Sequence, residues 1–277
     1  MYLVLDKSFL QGSSKEEIHQ LCLNHSLIMP EVLFLEILTT KEEDISKNFK
    51  KFPPIENPVH LVPNVGSLIR YEISNNQPCT PLENQFLKIH YVFNPDLTKE
   101  QFNFTKKQRK ALEEWEDHTL KATQDFAEKS VIIDYWFPEL RRYVPGGPSQ
   151  IIENAMLKVA SNKDLVITIY GQLRDEIYKT QNVLWPEPSK IDQNWILFRY
   201  LQVHLLASIE YVRKYGNRTP DTVSKRFINE RLDVDYCIIG SLADGLATGD
   251  KIMAKFYNLL CPEKILIFKE YLIRKGK

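Results

Sequence analysis

The chain has 277 residues, of which 43% are hydrophobic and 11% aromatic, a composition that supports a packed core and excludes a disordered chain. Its 36 basic and 36 acidic residues cancel, so no overall positive charge favours nucleic acid and any nucleic-acid-binding surface must be local. The four cysteines lie far apart without a CxxC pair, which is typical of reduced thiols in a cytoplasmic protein and argues against a zinc knuckle.

The chain is predicted to begin with strand and helix in alternation. Residues 2–5 form a short apolar run bounded by polar residues, which predicts a buried strand and is too short for a signal peptide. A hydroxyl followed by acids at residues 13–17 indicates the start of a helix. A second short strand is predicted at residues 26–29, and Pro30 then begins the apolar helix that contains Glu36.

The middle of the chain is predicted to be loops followed by helices. Residues 41–81 are rich in proline and asparagine and have no clear period, which indicates loops. A long helix with a capping box at Thr98 and Gln101 follows. Further helices are predicted near residues 151–160, 164–180 and 193–215. The last of these is apolar but interrupted by charged residues, so it should be a core helix and not a membrane span.

Towards the end of the chain, strands alternate with helices again. Two helices, a strand, a helix and a strand are predicted at residues 221–229, 233–242, 246–248, 251–260 and 264–268. Alternation at both ends around a helical middle predicts an α/β fold with a three-layer parallel sheet and a large, mainly helical insertion. Residues 1–40 and 191–277 would form the discontinuous core, and residues 41–190 the insertion, part of which completes the core.

Four acids are predicted to converge at one edge of this sheet. Asp6 and Asp250 each follow the carboxyl end of a strand, and ligands bind at that edge of an open parallel sheet. Glu36 is a lone charge on an apolar helix, which is costly unless a positive charge meets it. Asp233 is predicted to begin the helix that packs beside the strand leading to Asp250.

Converging carboxylates repel one another unless a cation lies between them, and Mg²⁺ or Mn²⁺ is the cation that oxygen ligands favour. Such an ion would assist the hydrolysis of phosphodiester bonds. Taken one at a time, these acids have simpler explanations. Asp6 and Asp233 could be helix or turn caps, and Glu36 could pair with a lysine from the insertion.

Three short motifs occur in a particular order: an aspartate that ends the first strand, a glutamate in an apolar helix, and a late pair of aspartates around a strand. They consist of Asp6 with Ser8, Pro30 with Glu36, and Asn229, Asp233, Thr248 and Asp250 in NERLDVDYCIIGSLADGLATGDK. This order resembles that of the PIN-like nucleases over residues 1–40 and 220–277. The long stretch between the second and third motifs is far more than a compact PIN-like domain needs.

The resemblance implies a metal-dependent ribonuclease with Mg²⁺ or Mn²⁺ as its cofactor. Its metal-binding and catalytic acids would be Asp6, Glu36, Asp233 and Asp250, supported by Ser8 and Thr248. Asp235 competes with Asp233 for the third position, and Asp244 is a further alternate in the turn before the last motif's strand.

Contacts with RNA are predicted at local basic clusters. These are Lys106 and Lys107 in TKKQRK, and Arg141 and Arg142 beside Tyr143, an aromatic residue that could stack on a base. The preference for RNA comes from the resemblance. Two alternatives stay open: a catalytically silent scaffold that binds RNA or a protein, and a structure-specific DNA nuclease of related fold. A toxin-like role would imply a neutralising partner protein, and no membrane partner is expected.

Overall fold

The computed structural model describes residues 1–55, 57–86, 95–99, 104–130, 133–181, 183–216 and 225–269. The chain divides into two compact units. The sheet unit contains Met1–Ser67, Thr80–Trp115 and Asp235–Lys277, and the helical unit contains Leu68–Cys79 and Glu116–Val234. This division differs from the predicted one, because much of the expected insertion belongs with the sheet and residues 191–234 belong with the helices.

The described residues of the sheet unit form one sheet of five strands, all parallel, in the order β3-β2-β1-β4-β5. The strands are β1 (Tyr2–Leu5), β2 (Ser26–Pro30), β3 (His60–Val62), β4 (Gly245–Thr248) and β5 (Ile265–Phe268). The prediction of a parallel α/β fold is therefore confirmed. All the predicted strands are present, and β3 lies in a segment that was predicted to be loops.

The central strand shows why this sheet is parallel and covered on both sides. Leu3, Val4 and Leu5 of β1 are consecutive, and each is almost completely buried. Since successive residues of a strand point to opposite faces, both faces of β1 are covered. A strand of this kind requires an apolar residue at every position, which is the uninterrupted pattern that β1 has.

Four helices of the sheet unit follow the first two strands: α1 (Lys7–Gly12) and α2 (Lys15–Asn24) after β1, and α3 (Glu31–Leu38) and α4 (Glu42–Phe49) after β2. The predicted helix start near residue 14 is confirmed, because Ser14 and Glu17 form a capping box.

The prediction of loops for residues 41–81 was wrong. Besides β3, this segment contains α4 and α5 (Val65–Asn75). In α4, Ile45 and Phe49 are spaced four residues apart and are both buried, which is a short amphipathic helix. Prolines separate these elements without lying inside them, so the abundance of proline was a misleading signal.

The next helices are α6 (Lys106–Ser130), α7 (Ile133–Trp136), α8 (Ser149–Ser161), α9 (Lys163–Gln181) and α10 (Ile196–Tyr215). Three predicted helices are thus confirmed as α8, α9 and α10. The capping box of α6 lies at Thr105 and Gln108, where each backbone N–H donates to the other side chain. Gln101, part of the predicted box, lies outside the described residues. Within the ranges described, no helix combines the length and apolar character needed to cross a membrane.

The last helices are α11 (Lys225–Leu242) and α12 (Lys251–Leu260). Two helices were predicted where the structure has the single helix α11, and residues 221–224 of the first lie outside the described residues. Neither proline nor glycine interrupts the sequence between Lys225 and Ile239, so the helix continues through Asp233. Asp233 consequently lies inside a helix and not at its start, contrary to the prediction.

Within the helical unit, a buried carboxylate supports the beginning of α10. Glu72 of α5 is fully buried and accepts hydrogen bonds from the backbone N–H groups of Cys79, Ile196 and Leu197, at 2.9, 2.7 and 3.0 Å. Ile196 and Leu197 are the first residues of α10, whose N-cap Trp195 makes no side-chain cap. Burial raises the pKa of Glu72, and the three amide bonds oppose that shift. Glu72 therefore caps the N-terminus of α10 although it belongs to a different helix.

We expect Glu72→Ala to lower the free energy of unfolding by about 3 kcal/mol or more, because three buried N–H groups lose their acceptor and each costs about 1 kcal/mol or more. Urea denaturation followed by circular dichroism measures the effect. Glu153→Ala, the same change at an exposed position of α8, should stay within about 0.5 kcal/mol of the wild type. Equal midpoints for the two variants would contradict this role of Glu72.

Candidate functional site

Asp6 and Asp250 lie at the carboxyl edge of the sheet, on its two central neighbouring strands. Asp6 directly follows β1, and its backbone N–H donates to the carbonyl of Ala247 in β4 at 3.1 Å. Asp250 lies two residues after the end of β4. From β1 the sheet extends to β2 and β3 on one side and to β4 and β5 on the other. The two acids thus flank the point where the strand order reverses, which is where open parallel sheets bind ligands.

The carboxylate of Asp6 is buried and held by three donors. Its Oδ1 accepts from the backbone N–H of Phe9 at 2.6 Å, which makes Asp6 the N-cap of α1. The Ser8 hydroxyl donates to the same carboxylate, with Oγ 2.8 Å from Oδ1 and 3.0 Å from Oδ2. The Thr248 hydroxyl donates to Oδ2 from the end of β4. Ser8 and Thr248, which the resemblance implies as supporting residues, both bind the carboxylate of Asp6.

Thr248 connects Asp6 to Asp250. The same Thr248 hydroxyl oxygen that donates to Asp6 accepts the backbone N–H of Asp250 at 3.0 Å. Oδ1 of Asp250 accepts the backbone N–H groups of Ile252 and Met253 at 2.7 and 2.8 Å, so Asp250 is the N-cap of α12. Both acids cap helices, and for Asp6 this is the simpler explanation that its sequence offered.

Gly249 lets the two segments approach each other closely. Its backbone N–H donates to the Ser8 hydroxyl oxygen at 2.8 Å. A Cβ at this position would lie 3.0 Å from that oxygen and 2.9 Å from the carbonyl oxygen of Lys269. Any larger residue would therefore push the loop after β4 away from Ser8.

The pKa of Asp6 is raised from 3.8 to about 6, and burial is the main cause. The hydrogen bonds from Phe9, Thr248 and Ser8 oppose this shift, and the negative charge of Asp250 adds the smallest contribution to it. Converging carboxylates were predicted to repel one another, and such repulsion raises a carboxyl pKa. Repulsion contributes here, but desolvation dominates.

Glu36 is also buried, and both of its oxygens are engaged. The Lys7 ammonium lies 3.1 Å from Oε1, and the Tyr236 hydroxyl donates to Oε2. Glu36 thus has the positive partner that its apolar helix requires, but that lysine follows Asp6 and does not come from the insertion. Lys7 and Tyr236 were not predicted to lie at the site. A buried glutamate signals the need for a partner without indicating which residue supplies it.

The remaining predicted acids have different positions. Asp233 and Asp235 both lie within α11, on either side of the boundary between the two units. The carboxylate of Asp244 accepts the backbone N–H of Tyr2 at 2.8 Å, at the amino ends of β1 and β4. Asp244 therefore lies at the opposite edge of the sheet from Asp6 and Asp250, and the alternate assignment to it is corrected.

The predicted cage of four carboxylates is not observed among the residues that the structure describes. Over those residues, no three aspartate, glutamate, histidine or cysteine side chains are grouped closely enough to hold a metal ion. The pair that remains is Asp6 with Asp250. Magnesium is commonly bound by one or two carboxylates together with water and substrate phosphates, so a pair is a sufficient protein contribution.

The free lone pairs of this pair are suited to a hard cation. A carboxylate has about four acceptor positions, and the hydroxyl and amide donors of Phe9, Ser8 and Thr248 fill three of those on Asp6. Asp250 uses Oδ1 for both of its amide bonds. Its Oδ2 has no hydrogen-bond or ion-pair partner within the described ranges. One position on each acid is thus available to a divalent ion.

The predicted basic residues are exposed and lie in different units. Lys106 and Lys107 begin α6 in the sheet unit, whereas Arg141 and Arg142 follow a short 3₁₀ helix in the helical unit. Tyr143 is only 8% exposed, and its hydroxyl donates to the carbonyl of Gly147 at 3.3 Å. The proposed stacking of a base on Tyr143 therefore has no support in this arrangement.

Comparison of the chain with protein-family models, with curated proteins and with solved structures finds no match.

The raised pKa of Asp6 predicts a pH-dependent effect of Asp6→Asn on stability in EDTA. A carboxyl whose pKa is higher in the folded state than in the unfolded state contributes most stability at low pH and loses it as pH rises. The free energy of unfolding of the wild type should therefore fall relative to that of Asp6→Asn between pH 4 and pH 7, by about 2 kcal/mol for a shift from 3.8 to about 6. Urea denaturation at both pH values measures the difference.

Asp250→Asn is the matched control, because it removes the neighbouring charge and keeps a capping residue. If burial is the main cause of the raised pKa, most of the pH dependence due to Asp6 persists in the Asp250→Asn background. Loss of that dependence would show that repulsion dominates.

Proposed function

We propose that this chain hydrolyses phosphodiester bonds with the help of a divalent cation held by Asp6 and Asp250. The observation that carries the proposal is the linked position of these acids at the strand-order reversal, joined through the Thr248 hydroxyl. Ligands of open parallel sheets bind at such positions. The order of the motifs along the chain, which resembles that of PIN-like nucleases, supports the same function.

Hydrogen bonds within the chain orient both carboxylates in the absence of a ligand. Ser8 and Thr248 orient the carboxylate of Asp6, and the first turn of α12 fixes Oδ1 of Asp250, so that the other oxygen is free. A bound Mg²⁺ or Mn²⁺ would supply two kinds of chemistry, a lowered pKa for an attacking water and stabilisation of charge on a phosphoryl oxygen. Burial of Asp6 strengthens its interaction with any cation that reaches it.

RNA is the proposed substrate, on the strength of the resemblance. The exposed Lys106 and Lys107 belong to the same unit as the acids and offer phosphate contacts that depend on salt concentration. Arg141 and Arg142 are exposed on the helical unit and offer the same kind of contact. Contacts of this kind bind RNA and DNA alike. A cleavage assay with both substrates is therefore needed to distinguish a ribonuclease from a DNA nuclease.

A catalytically silent scaffold is the second candidate, and one observation favours it. Both oxygens of Glu36, which the resemblance implies as a metal ligand, are engaged by Lys7 and Tyr236. A chain that had lost its metal could keep its fold by pairing this glutamate with a lysine and by using its aspartates as helix caps. Such a chain would bind RNA or a protein without cleaving anything.

Variants in which an aspartate of the site is replaced by asparagine distinguish the nuclease from the silent scaffold. We expect the full chain to cleave RNA with millimolar Mg²⁺ or Mn²⁺ and to be inactive in EDTA. Asp6→Asn and Asp250→Asn should each reduce cleavage by about 100-fold or more, because the site loses a ligand charge that is worth several kcal/mol in the transition state. Both variants keep a residue that caps a helix about as well as aspartate, so the fold should be maintained.

Asp244→Asn is the matched control, since it changes an acid at the opposite edge of the same sheet and should leave cleavage unchanged. Labelled single-stranded and hairpin oligonucleotides of RNA and DNA are tested in parallel. Metal-dependent cleavage that survives both Asp6→Asn and Asp250→Asn would refute the proposed site. A folded wild type that cleaves no substrate would support the scaffold.

A further inference from the structure

We propose that Lys7 takes the place of a second metal ion at this site. In this arrangement Lys7 keeps Glu36 as its own partner, and the site binds a single divalent ion at Asp6 and Asp250. The inference rests on the proposed function and departs from the resemblance, which implies that Glu36 is a metal ligand.

The negative charge of Glu36 is already compensated by a neighbouring lysine. Its side chain is 5% exposed, and one oxygen faces the Lys7 ammonium at 3.1 Å. The other oxygen accepts the hydroxyl of Tyr236, from a helix 200 residues further along the chain. A metal ion that used a remaining lone pair of this carboxylate would lie beside the Lys7 ammonium, whose positive charge repels it.

Lys7 follows Asp6 in the chain and pairs with Glu36. Lys7 is the first residue of α1 and directly follows Asp6, whose carboxylate caps that helix. Helix α1 packs against α3, which carries Glu36, and against β4, which leads to Asp250. The cap that fixes Asp6 therefore also fixes the backbone from which Lys7 reaches Glu36. The side chain of Lys7 is 24% exposed, so its ammonium is still within reach of solvent and of a substrate phosphate.

The charges of these residues balance with one divalent ion. Lys7 compensates the charge of Glu36, which leaves the two negative charges of Asp6 and Asp250. One Mg²⁺ or Mn²⁺ neutralises these two charges, whereas a second ion would leave a positive surplus. Two-metal sites hold their ions about 3.5–4 Å apart, which needs more carboxylates in one group. The part of the chain that the structure describes has no such group of three acids.

A titration of the full chain with Mn²⁺ alone tests this inference without relying on activity. Free Mn²⁺ is followed by electron paramagnetic resonance, and heat is followed by calorimetry. We expect one Mn²⁺ per wild-type chain and weakening by about tenfold or more in Asp6→Asn and Asp250→Asn, a loss that even outer-shell changes can reach. Glu36→Gln should keep the stoichiometry and the affinity of the wild type, because Glu36 is not a ligand.

The complementary change is Lys7→Met, which frees Glu36. We expect this variant to bind Mn²⁺ more tightly or to bind a second ion, and the double variant Lys7→Met, Glu36→Gln to return to wild-type binding. Lys7→Arg keeps the charge and should behave as the wild type. Lys47→Met removes a lysine from an exposed ion pair with Asp44 and should have no effect. If Lys7→Met fails to fold, Glu36→Gln and the double variant still decide the result.

Different results of these titrations would refute the role of Lys7 or the proposed function. If Glu36→Gln weakens Mn²⁺ binding as much as Asp6→Asn does, or if the wild type binds two ions, the role of Lys7 is wrong and the proposed function stands. If Lys7→Met binds Mn²⁺ as the wild type does, the ammonium does not act as a second cation. If the wild type binds no Mn²⁺, or if binding is insensitive to Asp6→Asn and Asp250→Asn, both the function and this inference are wrong.

Discussion

The burial of the Asp6 carboxylate is the constraint on which the site depends. Asp6 is 1% exposed, and its three donors come from the first turn of α1 and from the end of β4. One side chain thus joins the end of the central strand, the start of the first helix and the neighbouring strand. The positions of Lys7 and Ser8 follow from it, because both belong to the turn that it caps. Removing this carboxylate without replacing its acceptors would leave the backbone N–H of Phe9 and the hydroxyls of Ser8 and Thr248 without this partner.

Capping and metal binding are compatible roles for the same aspartates. A cap uses one oxygen of a carboxylate for backbone N–H groups, which leaves the second oxygen for other partners. Asp250 follows this division, whereas Asp6 shares its second oxygen with Thr248. The two acids consequently contribute to folding and are also suited to a cation. Their structural role does not argue against a catalytic one, and only changes that keep the cap and remove the charge can separate the two.

The parts of the fold that local sequence determines were predictable. Buried strands such as β1 and capped helices such as α2 and α12 have their signals within a few residues, and these predictions were confirmed. The edge on which Asp6 and Asp250 lie was predictable too, because parallel strands place their carboxyl ends together. The wrong predictions concern features that depend on residues far apart in the sequence. The sequence around Asp233 resembles a helix start but lies inside α11, and the contact of Tyr236 with Glu36 joins residues 200 positions apart.

We propose that Asp6 and Asp250 together hold one divalent cation. The most direct test is a crystal of the full chain soaked in Mn²⁺, with anomalous diffraction recorded at a wavelength where manganese scatters strongly. We expect one anomalous peak at the carboxyl ends of β1 and β4, in contact with a carboxylate oxygen of Asp6 and with Oδ2 of Asp250. A well-ordered crystal with no peak there, or with its strongest peak at another group of acids, would refute this metal site.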